Sequence, residues 1–438
     1  MEIKQVADIL NNVIYDEITG ESAVVAEDLS NIVDVGAEIA SGDTINGKSF
    51  DVVIGKIIDK IGKTIFHDRV YSPDTLGIMR DAFDYGSVLE KIRVDTGDYE
   101  ENVSWDLQNY TPDVFSYTAP DASATYYNSK TTFTLKNSVT KNQFKSAFES
   151  ATAMNRFFAA IENRIKTKAA IATESMAYRT LTNFIAEKIL RNSNVHNVLA
   201  EYYTENPSAT TTAANWKADR EFLAFLKRRF DKIRGLIRKP SMKYNVDGYV
   251  TFTPDSKLKM YALDDLTSAM STTVYANAFN DEYVKLPNFR TVPFWQGAGT
   301  NDSYESCSSI IAIPASEGPA PAGEDTRDTV YQTGVIAVFV DEDALAICND
   351  EPSTESIWNP EGRFYNWWFN FDCSYFNDIN ENGVVFIIDD YDLLTAEPAD
   401  WVTDYEDYYT KEDGVYTAVT GDSAPTFATG TYYKKITA

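Results

Sequence analysis

Two residue types are missing from the middle of this chain, and their absence narrows its fold sharply. Between Pro120 and Pro207 there is no proline, and between Gly97 and Gly235 there is no glycine. The two commonest helix breakers are therefore lost together. Within that window Met154, Phe157, Phe158, Ile161 and Ile165 fall on one face at helical spacing. Leu181, Phe184, Ile185 and Ile189 repeat the pattern, followed by Val195, Val198, Leu199 and Tyr202. Arg156, Arg164, Lys166 and Lys168 occupy much of the opposite face. From Phe144 to Tyr203 the pattern predicts one long helix, or two in tandem with a break near Thr173. A run of about forty residues would reach roughly 60 Å, enough to span a domain and carry other parts.

The rest of the chain alternates between helix and strand signals. Residues 1–14 predict a short amphipathic helix through Ile3, Val6, Leu10 and Val13. A second helical pattern covers Val24–Val33, and a third runs through Phe50, Val53, Ile54, Ile57, Ile58, Ile61 and Ile65. Gly86–Val94 reads as a half-buried strand with Val88, Ile92 and Val94 on one face and Lys91 and Arg93 on the other. Thr131–Val139 behaves similarly. Between these runs lie about forty residues rich in aromatics, a length unusual for a loop in a compact domain. Two readings stand: an extended hairpin arm covered by a neighbouring subunit, or a surface excursion.

Beyond Asn206-Pro207, Trp216–Ile237 is again helical and unusually basic, with Lys217, Arg220, Lys227, Arg228, Arg229, Lys232 and Arg234, followed by Arg238 and Lys239. A solvated face or an ion-pair surface between subunits accounts for it better than a nucleic-acid patch. Tyr249–Thr253 reads as a strand, Asp264–Phe279 as a helix, and Pro287–Gln296 and Ile310–Ile313 as strands. Thr333–Val340, Ala344–Cys348, Tyr365–Phe371 and Val384–Ile388 read as consecutive strands of one sheet. The tail turns acidic from Asp389 to Asp413, then becomes a small β unit in which Tyr408-Tyr409-Thr410-Lys411 is echoed by Tyr432-Tyr433-Lys434-Lys435.

Charge and composition exclude several functions. The 438 residues carry 66 acidic and 39 basic side chains, a net charge of −27. Phosphate contacts need lysine and arginine, so a protein that coats nucleic acid is disfavoured. Three scattered cysteines are no disulfide framework and fit a reducing cytoplasm. No signal peptide and no membrane span is expected. His67 and His196 lack metal-binding company, and no phosphate-loop, dinucleotide or nucleophile-elbow motif occurs. Asp378, Asn380, Asn382, Gly383 and Asp389 match the spacing of an EF-hand calcium loop. The β-branched run that follows them favours a polar turn between strands instead. No catalytic, cofactor-binding or metal-ligating residue is therefore expected, and the chain is not read as an enzyme.

Several short runs carry a resemblance. Trp358-Asn359-Pro360-Glu361-Gly362-Arg363-Phe364-Tyr365-Asn366-Trp367 resembles the Asn-Pro-x-Gly-x-x-x-Asn-aromatic run in major capsid proteins of small short-tailed phages of the Salasmaviridae type. Val335–Ile347, with its turn at Val340-Asp341-Glu342-Asp343, resembles a strand–turn–strand of that family. Ile58-Asp59-Lys60-Ile61-Gly62, the strand around Glu90, Lys145-Ser146-Ala147-Phe148 and Ala276-Asn277-Ala278-Phe279 resemble further family segments, in the family's order.

The resemblance implies an α+β fold of the Hong Kong 97 type. Its parts would be an N-terminal arm (1–71), an extended loop (72–140), a peripheral domain with a spine helix (141–206), an axial domain (207–329), a peripheral sheet (330–388), and an acidic linker with a small β appendage (389–438). It also implies a structural protein that self-assembles, as hexamers and pentamers, into an icosahedral head around double-stranded DNA. The expected partners are further copies, a scaffolding protein and a portal, with packaged DNA near by proximity only and no membrane. The expected place is the virion, after assembly in the host cytoplasm, with the N-terminal arm reaching a neighbour. Two other readings remain: an encapsulin-like compartment, and a surface protein that binds glycans.

Overall fold

The computed structural model describes residues 3–12, 25–34, 44–45, 48–49, 75–80, 89–95, 115, 121–127, 130–140, 142–143, 149–191, 193–246, 248–273, 289–296, 307–308, 311–313, 330–349, 353–412, 414–421 and 423–436. In chain order its main elements are α1 (Ile3–Leu10), β1 (Leu89–Asp95), β2 (Asp121–Tyr127), β3 (Lys130–Thr140) and α2 (Ala151–Leu190). There follow β4 (Val195–Asn197), α3 (Val198–Glu205), α4 (Arg220–Ile237), β5 (Leu258–Leu263), α5 (Asp264–Thr273) and β6 (Phe289–Val292). The last group is β7 (Val335–Asp341), β8 (Leu345–Asn349), β9 (Ser353–Asn359), β10 (Phe364–Asn377) and β11 (Gly383–Ile387). A tail of β12 (Tyr391–Leu393), β13 (Tyr408–Glu412), β14 (Val415–Ala418) and β15 (Tyr432–Lys435) closes the chain.

The proline- and glycine-free window holds a single helix of 40 residues. Its start is set by Ser150, whose hydroxyl accepts from the Ala153 amide at 3.1 Å and so satisfies one of the open N-terminal donors. Thr173 lies within it and interrupts nothing; its hydroxyl accepts from Asn349 at 3.1 Å. The helix ends earlier than its hydrophobic pattern suggests. Arg191 caps it, and Asn194 turns the chain through a left-handed conformation at φ 58°, which asparagine tolerates. Val195 and Val198 to Tyr202, read as a continuation of the same helix, belong instead to strand β4 and helix α3.

Two sheets lie along α2. The first has the order β4-β11-β7-β5-β6, with β7 antiparallel to both its neighbours. All seven residues of β7 are buried. On one face Ala337, Phe339, Val384 and Phe386 pack with α3, α4 and α5; on the other Val338, Val340 and Val385 pack against Leu181, Phe184 and Ile185 of α2. A sheet covered on both faces needs continuous apolar strands, and these are continuous.

The second sheet is organised by β10, which pairs with β3 on one side and with β8 and β9 end to end on the other. Its residues 364–373 alternate between half-buried and buried. Tyr365, Trp367, Phe369 and Phe371 are buried with Met154, Ile161 and Ile165 of α2, while Asn366, Trp368, Asn370 and Asp372 face the other way. The Asn-Pro-x-Gly run is the turn between β9 and β10, where the Asn359 side-chain Oδ1 accepts from the Gly362 amide at 2.9 Å. The first half of α2 thus serves one sheet and its second half the other.

The expectation of a single sheet over residues 330–388 is corrected by this topology. β7 and β11 join the first sheet, and β8 and β10 join the second. The chain crosses between them at the 3-10 turn Glu342–Ala344 and returns through the Asp378–Asn382 turn. The two strand types do differ in pattern, continuous for the first sheet and alternating for the second. Tyr249–Thr253 is no strand either, since only Thr251 bridges, to Ser241.

The backbone just before β7 lies hard against the backbone just after β11. Gly334 sits at φ +72°, where a Cβ would lie 2.0 Å from the Ile388 carbonyl oxygen, and its own carbonyl accepts from the Ile388 amide at 2.8 Å. Both strain and backbone overlap oppose any side chain there. Gly334→Ala is expected to cost more than about 2 kcal/mol, read from the denaturation midpoint of the unassembled chain.

The N-terminal segment folds onto its own chain. Val6, Leu10, Val25, Leu29 and Ile32 join the cluster of Trp367 and Ile161, and the Asn11 side chain bridges to the backbone of Val25 at 2.7 and 2.8 Å. The described part of the expected arm therefore packs on its own chain's sheet and α2. The amphipathic run Phe50–Ile65 and His67 lie outside the described residues. The tail forms the sheet β12-β15-β13-β14 around Trp401, Tyr408 and Tyr432. Its repeated tyrosine runs are paired strands, with Tyr409 opposite Tyr433. Among the described residues no helix is long and apolar enough to cross a membrane.

Candidate assembly surface

β1 and β2 form an antiparallel hairpin whose register sorts its residues by face. Ile92 lies opposite Ala124, Val94 opposite Ala122 and Glu90 opposite Tyr126. These six side chains share one side of the ribbon, and Lys91, Arg93, Ser123, Thr125 and Tyr127 share the other. The second set faces the body of the same chain. Lys91 Nζ lies 2.6 Å from both Asp378 Oδ2 and Glu381 Oε1, and the Arg93 guanidinium 2.8 and 3.1 Å from the same two oxygens. Arg93 also sits over the Tyr249 ring at 5.2 Å, and Tyr127 packs on Phe376 with centroids 5.5 Å apart. Burial, reinforced by the neighbouring Asp378 charge, pushes the Tyr127 hydroxyl well above its usual pKa.

The first set is left to solvent. Ile92 is 62% exposed, Val94 59% and Tyr126 63%, while Phe115, between the two strands in sequence, is 95% exposed. The strand alternates as its sequence suggests. Its apolar residues point out and its cations point in, because the cations have acids to meet inside. Two large β-branched side chains on one exposed face make an interaction surface in waiting.

The loop with calcium-like spacing supplies those acids. It lies between strands β10 and β11, and its first carboxylate, Asp378, is occupied by the hairpin's two cations. Among the described residues no group of three or more His, Cys, Asp or Glu is arranged to hold a metal ion. Five cations in and beside α4 also pair within their own chain. Lys217 pairs with Asp265, Lys227 with Asp231, Arg229 with Glu201, and both Arg234 and Arg238 with Asp255, at 2.6 to 3.1 Å. Burial alone would raise the Glu201 carboxyl, but hydrogen bonds from His196 and Arg229 outweigh it and hold its pKa below the ordinary value. Cys348 and Cys373 are buried.

A family model described as Phi29-like phage major capsid protein matches residues 11–387. The chain belongs to that family. The capsid protein is accordingly a structural component of the phage virion, not an enzyme, and it builds a multimeric shell. No curated protein matches it. Among solved structures it is similar to a chain in the capsid of Staphylococcus phage Andhra, at 14% identity and TM-score 0.47, covering 71% of this chain and 83% of that one. A chain in a structure of native bacteriophage P68, with its head fiber and inner core protein, stands at the same identity and TM-score and covers 72% and 84%. A chain of the bacteriophage PhiM1 mature capsid is 9% identical at TM-score 0.37, covering 73% and 88%. Lys91 and Arg93 on one side and Asp378 and Glu381 on the other, the capsid protein's own anchor for its hairpin, were not brought together from sequence. The available signal was two cations at alternate strand positions in a strongly acidic chain.

Proposed function

We propose that the capsid protein forms the wall of an icosahedral head of the Hong Kong 97 type around double-stranded phage DNA. Its hexamers and pentamers are joined in part through the apolar face of the β1–β2 hairpin. In this reading residues 1–71 are the N-terminal arm, 72–140 the extended loop, and 141–206 the peripheral domain with its spine helix α2. Residues 207–329 are the axial domain, 330–388 return to the peripheral domain, and 389–438 form the small appendage. Assembly takes place in the host cytoplasm with a scaffolding protein and a portal, and the acidic wall repels packaged DNA instead of gripping it.

The observation that carries this reading is the exposed face of Ile92, Val94 and Tyr126, which one chain leaves uncovered. A second copy is the occupant that a shell always supplies, and burial at about 25 cal/mol per Å², repeated around a closed surface, makes weak contacts add up. Negative-stain microscopy of the expressed protein, with and without its scaffolding partner, tests it. Closed particles of uniform size holding nuclease-protected DNA in infected cells are expected. A compact monomer that never forms particles, or shells filled with protein cargo, would overturn it.

A further inference from the structure

Resting on the capsid reading, we propose that Lys91, Arg93, Asp378 and Glu381 are positioning residues: a same-chain ionic latch that decides which face of the β1–β2 hairpin meets the next copy. The hairpin's side chains alternate cleanly, so a half-turn of the ribbon about its axis would exchange its two faces. Hydrophobicity alone favours the exchange, since it would hide Ile92 and Val94 against the body. The acids oppose it. Asp378 is only 1% exposed and Glu381 14%, and with Ile92 and Val94 turned toward them both would be left without a counter-charge. An uncompensated buried carboxylate is a far larger penalty than two exposed aliphatic side chains.

The acids can act this way because their turn is itself held in place. Asp378 Oδ1 accepts from the Asn380 amide at 3.0 Å, and the Asp378 amide donates to the Ala344 carbonyl at 2.8 Å. Lys188, buried on α2, donates to the Ile379 carbonyl at 3.1 Å. At Gly383 the chain passes so close to α2 that a Cβ would lie 2.5 Å from the Phe184 ring. The latch therefore ties the hairpin to the long helix through a short, rigid turn. Tyr249 adds a flank, its ring under Arg93 and its hydroxyl 3.3 Å from Ser123. A hairpin oriented before a second copy arrives spares the assembling pair the cost of ordering it.

The test uses the full chain in three forms: Lys91→Met with Arg93→Met, Asp378→Asn with Glu381→Gln, and all four together. Each is followed by its unfolding midpoint, by protease cleavage between residues 89 and 127 in the unassembled subunit, and by the protein concentration at which closed particles form. Either double variant is expected to raise that concentration roughly tenfold or more and to speed cleavage of the hairpin. The fourfold variant is expected to do little worse than either pair, because both pairs remove one and the same contact. Lys91→Arg with Arg93→Lys, which keeps both charges, is expected to assemble close to the unaltered protein. Should a double variant fail to fold, Lys91→Met and Arg93→Met made singly decide the matter, each giving an intermediate concentration.

Variants whose unfolding midpoint falls while particles form at the unaltered concentration would reduce the four residues to ordinary stabilisers. Losses that simply add in the fourfold variant would show that the pairs act independently. Either result overturns the latch and leaves the capsid reading intact, whereas failure of the unaltered protein to form particles would sink that reading first.

Discussion

Ile92→Glu with Val94→Glu yields a subunit that folds but does not close a shell. Both side chains are more than half exposed in the single chain, so each substitution shifts its folding stability by no more than about 0.5 kcal/mol. Assembly is where the change is felt. Each copy loses roughly 2 kcal/mol of apolar burial. It must also desolvate two carboxylates beside Glu90, which lies on the same face. A loss of about 3 kcal/mol per contact raises the concentration needed for association roughly a hundredfold. Sedimentation velocity and circular dichroism on the same sample check it: a native spectrum with the particle peak gone is expected, and Ile92→Thr with Val94→Thr lies between. Particles at the unaltered yield would mean that this face is not buried in the shell.

Phe386→Ala produces the largest loss of folding stability, about 3–5 kcal/mol. Phe386 is fully buried in β11. Its ring meets Phe230 of α4 edge-on at 4.7 Å and Phe339 of β7 at 5.2 Å, and it stacks on His196 at 6.0 Å. One side chain therefore joins three elements, and truncating it leaves a hole bounded by a sheet and a helix that cannot both close in. Urea unfolding of the unassembled subunit is the proper measurement, since assembly adds its own stabilisation. Phe252→Ala, at a ring 55% exposed, is the control and moves the midpoint little. A small effect at Phe386 would show that the α4 layer is not packed on the first sheet as described.

Periodicity revealed elements well and their partners poorly. The 40-residue helix was legible because its breakers are missing and its apolar spacing is regular, yet its end was not. Asn194 stops it through backbone conformation, while the apolar spacing runs on into β4 and α3. β10 was legible from its alternation and the tail from its tyrosine repeat. The sheet assignment failed because strands adjacent in sequence, such as β7 and β8, are sent to different sheets by a three-residue turn. The basic run of α4 was found, but its acids, Glu201, Asp255 and Asp265, lie on other elements and cannot be paired by spacing.

By itself the sequence determined the long helix α2, the alternating strand β10 and the paired tyrosine strands of the tail, because those patterns are written in neighbouring residues and need no distant partner. It also determined the shell-forming family, through short runs kept in order. Only the tertiary structure decided which way the hairpin faces. Lys91 and Arg93 alternate with Ile92 and Val94, so either set fits inward on local grounds. The choice rests with a buried acid 285 residues beyond Arg93 in the chain, whose charge outweighs the hydrophobic gain of turning the ribbon over.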